Sequence, residues 1–349
     1  MRAGGAPRSR LGSPISERGK NWATFAVSTL LALALAEGAS RFLVARVTPA
    51  GMRFDDALLY TYAPRTELPG MTLNDVGCIG DDALPGKPPD ESETRVLLLG
   101  ESTSFTARYV ASVKEHLARE HPLRRFRVMS CGKPRYTSFV NRANFDRNAS
   151  VWSPNVVVWY GGINDNIYNS FPWLDSLPSV GYFDWRTRRS SVFLGLLKYH
   201  LIDKALRSVP DFAPDRIRSR AIYEANLIGI VETARKKNAR IVLAEFALAL
   251  PTEDTKLLSR IRGDERVMRH FWGNVDSTVA GVRAHNEIVE KLAARFGLPL
   301  ARPDAAIPRD SAHFIDICHL TPAGNDLLGA AIAEAVGRSL PPETLRTGG

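Results

Sequence analysis

The sequence predicts an α/β protein, a doubly wound parallel sheet in a three-layer sandwich, and three observations predict it. From residue 94 onward, short continuous apolar runs alternate with segments of helical periodicity, as strands buried on both faces alternate with their crossover helices. The first and third runs end directly in glycine-containing polar turns, at the carboxyl edge where open α/β sheets bind ligands. The 349 residues, 44% hydrophobic and 24% charged, supply a sizeable core and lie far from disordered or collagen-like compositions.

Taken in order, 96–99 reads as the first strand, and Val110, Val113 and Leu117 mark one face of the helix after it. A second strand is expected at 126–129, a helix over 138–149 and a third strand at 156–160. Then come a helix with Ala221, Ala225, Ile228 and Val231 on one face, a strand at 241–246, and a helix with Val282, Val289, Leu292 and Phe296 facing inward. Thr321 and Pro322 form an N-cap and first-turn pair for a last helix that buries Leu328, Ala331, Ile332 and Ala335. No internal repeat is visible. Between the third strand and the helix near 216, the insertion 166–215 holds nine of the thirty aromatic residues. It reads either as a cap over the ligand edge or as a helical subdomain burying its own aromatics.

The formal charge of +9 raises the question of nucleic acid, but Arg2, Arg8, Arg10, Arg18 and Lys20 against Glu17 account for four of those charges. The remainder carries no nucleic-acid fingerprint, so no nucleic acid is expected as a partner. The basic start is followed by 21–36, sixteen residues without a charge, a membrane-directed pattern that sends the body across. Ala34-Leu35-Ala36 offers a cleavage site. Against cleavage, a helix can continue through Phe42, Leu43 and Val47 with Glu37 and Arg41 at the interface, and a retained anchor is favoured. The resulting plan is a basic cytoplasmic tail (1–21), a transmembrane signal-anchor (22–47), a lead-in with six prolines and five glycines (48–93), the main domain (94–340) and a tail (341–349). The main domain is expected to be extracytoplasmic, on the periplasmic side, with a cleaved secreted form as the alternative.

Three segments carry chemistry. Gly100-Glu101-Ser102-Thr103 ends the first strand, which puts a serine Oγ at the open edge of the sheet, beside a helix N-terminus. Gly161-Gly162-Ile163-Asn164-Asp165 ends the third strand at the same edge; Asn164 can aim an N–H at a developing oxyanion, and Asp165 can hold the loop through backbone N–H groups. Near the end, Asp316-Ile317-Cys318-His319 spaces a carboxylate three residues from a histidine, so that it can accept from Nδ1–H and turn Nε2 toward a nucleophile. Asp310 and His313 repeat that spacing. His319 is preferred because it precedes the capped helix, and His313 is expected at the surface. The three cysteines, Cys78, Cys131 and Cys318, lack metal spacing; unpaired thiols are expected, with a Cys131–Cys318 bridge as the alternative. No metal or cofactor motif is present in the sequence.

Together, Gly100-Glu101-Ser102, Gly162-x-Asn164-Asp165 and Asp316-x-x-His319 resemble the blocks of the SGNH or GDSL-type hydrolases, in order and strand context across about 94 to 339. The resemblance implies a flavodoxin-like sandwich with Ser102 as nucleophile, His319 as base and Asp316 as its orienter. It also implies an oxyanion hole from the Ser102 N–H, the second-block residue and Asn164, with Gly162 and Asp165 supporting. Asn74-Asp75-Val76-Gly77-Cys78 looks like the lead-in of membrane-anchored, extracytoplasmic members. Two positions depart from the pattern. Glu101 replaces the usual aspartate, and in Cys131-Gly132-Lys133-Pro134-Arg135, Arg135 falls where the family has its oxyanion glycine, unless Gly132 takes that place. The expected activity is cofactor-free hydrolysis of ester-linked acyl groups, such as acetyl groups on an envelope carbohydrate, with Arg135 contacting substrate. The alternatives are a carbohydrate O-acetyltransferase and a non-catalytic carbohydrate-binding protein.

Overall fold

The computed structural model describes residues 17–47, 51–55, 58–84, 93–170, 191–198, 216–269 and 272–341. Helix α1 (Glu17–Val47) is followed by two small hairpins, β1 (Met52–Asp55) with β2 (Leu59–Tyr62), and β3 (Glu67–Leu68) with β4 (Met71–Thr72). The central sheet comprises β5 (Ile79–Gly80), β6 (Glu93–Gly100), β7 (Arg125–Ser130), β8 (Val156–Tyr160), β9 (Arg240–Ala244) and β10 (Leu300–Ala301). Between and after its strands lie α2 (Ala107–Glu120), α3 (Ser138–Trp152), α4 (Ile167–Ser170), α5 (Val192–Lys198), α6 (Ser219–Lys236), α7 (Thr255–Met268), α8 (Val275–Phe296), α9 (Pro303–Ala306) and α10 (Pro322–Ser339).

The strand order is β10-β9-β8-β6-β7-β5, parallel from β6 to β10 with β5 antiparallel at the edge. Counting only the parallel strands in chain order, this is 2-1-3-4-5, the doubly wound class the sequence predicts, and its switch point lies between β6 and β8. Side chains of β6 alternate between two cores. Val96 and Leu98 pack with Val110 and Val113 of α2 and Leu328 and Ile332 of α10. Leu97 and Leu99 pack with Phe145 of α3, Leu227 of α6 and Val289 of α8. Each such fully buried aliphatic stabilises the fold by about 1.5–3 kcal/mol, which is why the two-sided apolar strands are the most legible elements.

Several details differ from the sequence reading. The strand expected over 241–246 ends at Ala244, because the Asn286 side chain takes both backbone groups of Phe246, accepting from its N–H at 2.7 Å and donating to its carbonyl at 3.0 Å. Helix α6 buries Tyr223, Leu227, Ile230 and Val231, whereas Ala221 and Ala225 are exposed; the larger side chains win the inward face. The short strands β5 and β10 and helix α7 have no counterpart in the sequence reading. The lead-in does more than cross the surface, since β5 extends the sheet. Cys78 is disulfide-bonded to Cys131, and Cys318 is a free, buried thiol. This corrects both the expectation of unpaired cysteines and the Cys131–Cys318 alternative; pairing of Ile79 with Ser130 brings the two neighbouring cysteines together.

Within α1, Lys20–Leu43 is long and apolar enough to cross a membrane or to act as a signal sequence. Trp22, Phe25, Leu30 and Leu31 are exposed, unlike the side chains of a core helix. Glu37 accepts from the Ser191 hydroxyl at 2.7 Å and from the Val192 and Phe193 N–H groups at 3.0 and 2.9 Å, tying α1 to the start of α5. The greater part of the aromatic insertion, 171–190 and 199–215, lies outside the described residues.

Candidate active site

Ser102 lies at the switch point. It opens a single 3₁₀ turn, Ser102–Ser104, and α2 begins only at Ala107, so the helix N-terminus expected beside the serine stands one turn further on. Gly100 is required before it: a Cβ there would lie 2.2 Å from both Ser104 Oγ and the Tyr160 carbonyl oxygen. The turn is closed by bonds from Ser104 N–H to the Glu101 carbonyl and from Phe105 N–H to the Ser102 carbonyl, at 3.1 and 3.0 Å.

The loop before α10 brings the acid and the histidine. Asp316 Oδ2 lies 2.7 Å from His319 Nδ1, while Oδ1 accepts from the Cys318 and His319 N–H groups at 2.8 and 2.7 Å. His319 Nε2 is 2.9 Å from Ser102 Oγ. A carboxylate accepts, so Nδ1 carries the proton and Nε2 presents its lone pair to the serine hydroxyl. Burial acts to raise the Asp316 carboxyl, but the His319 side chain and the two N–H groups outweigh it and hold it below its ordinary value. For His319, burial acts to lower the imidazole and the Asp316 partner outweighs it, so the ring is a stronger base than a free histidine. Phe314 bridges Leu320, and Thr321 caps α10 through Gly324 N–H at 3.2 Å, which pins the loop.

His313 pairs with Asp310 in the same way, Nδ1 to Oδ1 at 2.7 Å. It is half-buried rather than on the surface, and only His319 reaches Ser102. Three potential ligand atoms, from Asp316, Cys318 and His319, lie within 4.8 Å of one another. Asp316 and His319 spend theirs on each other, and burial pushes the Cys318 thiol well up, away from the thiolate a metal binds.

The loop after β8 is held from three sides. Glu101 Oε1 accepts from Gly162 N–H at 2.7 Å and both its oxygens lie 3.2 Å from Asn164 N; burial, then the nearby Asp165 charge, pushes this carboxyl well above its ordinary range. The Tyr223 hydroxyl donates to the Gly161 carbonyl at 2.7 Å. His285 Nδ1 donates to the Gly162 carbonyl at 2.7 Å, with its Nε2 2.7 Å from the Ser219 hydroxyl. Burial pushes His285 down to about 4, so it is a neutral donor at neutral pH. Gly162, at φ 152°, sits where a side chain is strained.

Asn164 is oriented by two bonds, its Nδ2 donating to the Tyr136 carbonyl at 3.0 Å and its Oδ1 accepting from Trp272 Nε1 at 3.2 Å, which leaves a second amide hydrogen. The loop-holding role expected of Asp165 belongs to Glu101. Asp165 instead accepts from the Ser138 N–H and hydroxyl at 2.9 and 2.5 Å, fixing the start of α3; burial raises it to about 7.

Lys133 to Tyr136 form a turn closed by Tyr136 N–H to the Lys133 carbonyl at 3.1 Å, with Arg135 at φ 65°. Pro134 followed by a positive-φ residue is the sequence of a type II turn, whose third position favours glycine. Arginine there costs about 1–2 kcal/mol. Gly132 does not take that place; it lies against Gly100, where a Cβ would come within 2.8 Å of the Gly100 carbonyl carbon. The β1–β2 hairpin braces the turn. The Tyr60 hydroxyl donates to the Pro134 carbonyl at 2.9 Å, the Tyr136 hydroxyl donates to the Tyr60 carbonyl at 2.5 Å, and Tyr62 stacks on Phe105 at 5.7 Å.

Sequence reasoning missed Trp272, Tyr223, His285 and the hairpin tyrosines. Each acts across a long chain separation with no local spacing to mark it; an isolated histidine among the inward positions of α8 was the one available signal.

No protein-family model matches the chain, and no curated protein does. Solved structures do. A GDSL-like lipase from Bacteroides thetaiotaomicron VPI-5482 is 15% identical over 73% of this chain and 93% of its own, with a TM-score of 0.45. Axe2, an acetylxylan esterase from Geobacillus stearothermophilus, is 18% identical over 71% of this chain and 97% of its own, at 0.44. LAE5, an alpha/beta hydrolase enzyme from the metagenome of Lake Arreo, Spain, is 16% identical over 71% and 97%, also at 0.44.

Proposed function

We propose that the chain is an SGNH/GDSL-type serine esterase that hydrolyses ester-linked acyl groups, acetyl among them, on a glycan or small molecule. The observation that carries the reading is the unbroken relay from Ser102 Oγ to His319 Nε2 at 2.9 Å and from His319 Nδ1 to Asp316 at 2.7 Å. In this mechanism His319 takes the serine proton as Oγ attacks the ester carbonyl. The Ser102 and Arg135 N–H groups and the spare Asn164 amide hydrogen stabilise the oxyanion, and protonated His319 passes its proton to the leaving alcohol. Water, activated by the same imidazole, then releases the acyl group. Asp316 holds the tautomer and the charge that forms on the ring.

The division into tail, anchor, lead-in and catalytic domain belongs to the same proposal, with the domain outside the cytoplasm. The basic residues before α1 and the Cys78–Cys131 disulfide both favour that side. The test is labelling of the full-length membrane protein with a fluorophosphonate probe alongside hydrolysis of p-nitrophenyl acetate. Labelling that requires both Ser102 and His319 is expected; a chain that neither labels nor hydrolyses any acyl ester is not an esterase. A carboxyl-terminal reporter active only in its extracytoplasmic form is expected, and the opposite result overturns the topology.

A further inference from the structure

The turn between β7 and α3 carries two cations that the acyl chemistry does not use. Its beginning and end are fixed on the site: Gly132 lies against Gly100, and the Tyr136 carbonyl is held by Asn164 Nδ2 at 3.0 Å. Residues 133–135 therefore span the rim between the turn of Ser102 and the side chain of Asn164. Lys133 is 2% exposed. Among the described residues no carboxylate or hydrogen-bond acceptor meets its ammonium, and the Tyr136 ring centroid lies 5.5 Å from it. Arg135, on the other side of Pro134, is exposed and holds a left-handed backbone that glycine would adopt without strain. A nearly buried lysine whose ammonium meets only the Tyr136 ring among the described residues, and a left-handed arginine, both fall on one turn at the edge of the candidate site. Backbone strain clusters at ligand sites, and a low-exposure ammonium with no carboxylate partner among the described residues is costly to hold without one.

We propose that Lys133 and Arg135 form a subsite for an anionic group, a carboxylate or a phosphate, carried by the substrate beside its ester. The guanidinium supplies a two-pronged donor and the ammonium a point charge on the same turn. Arg135 thereby takes part twice, its N–H toward the oxyanion and its side chain toward the substrate anion. The substrate assignment rests on the esterase reading; the binding of anions does not.

The experiment separates the two. Full-length Ser102→Ala protein in detergent is titrated calorimetrically with inorganic phosphate and, separately, with galacturonate. Saturable binding of one or both is expected, weakened about tenfold by Lys133→Met or by Arg135→Gly and retained in Lys133→Arg. Which arm binds identifies the anion, and binding of neither overturns the proposal even if the chain hydrolyses esters. Anion binding without hydrolysis leaves the subsite standing and the esterase reading fallen. In the active chain, the ratio of kcat/KM for O-acetylated galacturonate oligomers to that for O-acetylated xylose oligomers should drop about tenfold in the same two variants. Equal losses on both substrates overturn the proposal. Lys133→Met should melt no lower than the parent, because it removes a low-exposure charge that no carboxylate meets among the described residues; a clear loss of stability makes Lys133 a structural residue and also overturns it.

Discussion

The loop between α9 and α10 contains the same device twice. Asp310 with His313 and Asp316 with His319 share their spacing, the 2.7 Å bond from Nδ1 to carboxylate, and two backbone N–H groups that donate to the aspartate; Asp310 takes all three on Oδ1, whereas Asp316 takes the imidazole on Oδ2 and the N–H groups on Oδ1. Six residues separate the pairs, and only the second has Nε2 on Ser102, at 2.9 Å. A three-residue spacing is therefore enough to build an oriented histidine, and chain geometry alone does that. What turns one copy into part of a relay is the position of its loop over the carboxyl end of β6. The bridge from Phe314 to Leu320 and the cap on α10 set that position.

The largest effects should come from treating the two pairs alike. Ser102→Ala, His319→Ala and Asp316→Asn are each expected to lower kcat on p-nitrophenyl acetate by about 10⁴-fold, the last because the imidazole takes the wrong tautomer. His313→Ala and Asp310→Asn should leave the rate within a factor of about two. Steady-state kinetics on the five proteins checks this, and equal losses in the two histidine variants would break the comparison.

Asn164→Ala comes next. In the proposed mechanism its amide serves charge that exists only in the transition state, so kcat should fall by about 10²-fold with little change in KM. A rise in KM alone removes Asn164 from the oxyanion hole. Trp272→Phe, which removes one of the two bonds orienting that amide, should show the same kinetic signature at a smaller size.

The pH profile separates the pairs more finely. Asp316 raises the His319 value above that of an ordinary histidine, and in the proposed mechanism the ring acts as base only when neutral. Hydrolysis should therefore climb with rising pH through a midpoint above 6.5, the reference value for the ring. Asp316→Asn removes the carboxylate charge and should move the remaining activity to a lower midpoint. Measuring kcat/KM against pH in both proteins tests the sign, and an upward shift in the variant contradicts the assignment.

How much of this was legible in the chain follows from the range of the interactions. The parallel strands could be read because both faces of β6 and β8 are buried, which leaves an unbroken apolar run. Ser102, Asn164, Asp316 and His319 could be read because they sit at strand ends or share a local spacing. The choice between two identical Asp-x-x-His pairs drew on the Thr321 cap, a local signal that marked the better-pinned copy. In the sequence Glu101 shows only as a departure from the family pattern; its extra reach to the N–H groups of Gly162 and Asn164 appears once β6 and β8 lie side by side. Trp272, 108 residues from Asn164, and His285, 123 residues from Gly162, carry no spacing to betray them. The Cys78–Cys131 bridge depended on β5, a strand of two residues, too short for any periodicity to announce.

The smallest expected effect concerns the pair that reaches no serine. Asp310 accepts from His313 Nδ1 and from the Ala312 and His313 N–H groups, and its side chain is 42% exposed. The hydrogen bond from His313, set against a small opposing effect of burial, holds its carboxyl below the ordinary value. A depressed carboxyl contributes stability above its unfolded value near 3.8, and that contribution is lost as pH falls through the lower folded value. Water screens so exposed a group, so its share at neutral pH is about 0.5 kcal/mol or less. Asp310→Asn should consequently lower the chemical-denaturation free energy by no more than that at pH 7. The difference from the parent should vanish once the solution is acidic enough to protonate the aspartate in both states. A loss of several kcal/mol, or a difference that grows on acidification, would mean that the first pair anchors the loop on which His319 depends. The two copies would then be one mechanical unit rather than a relay and its idle twin.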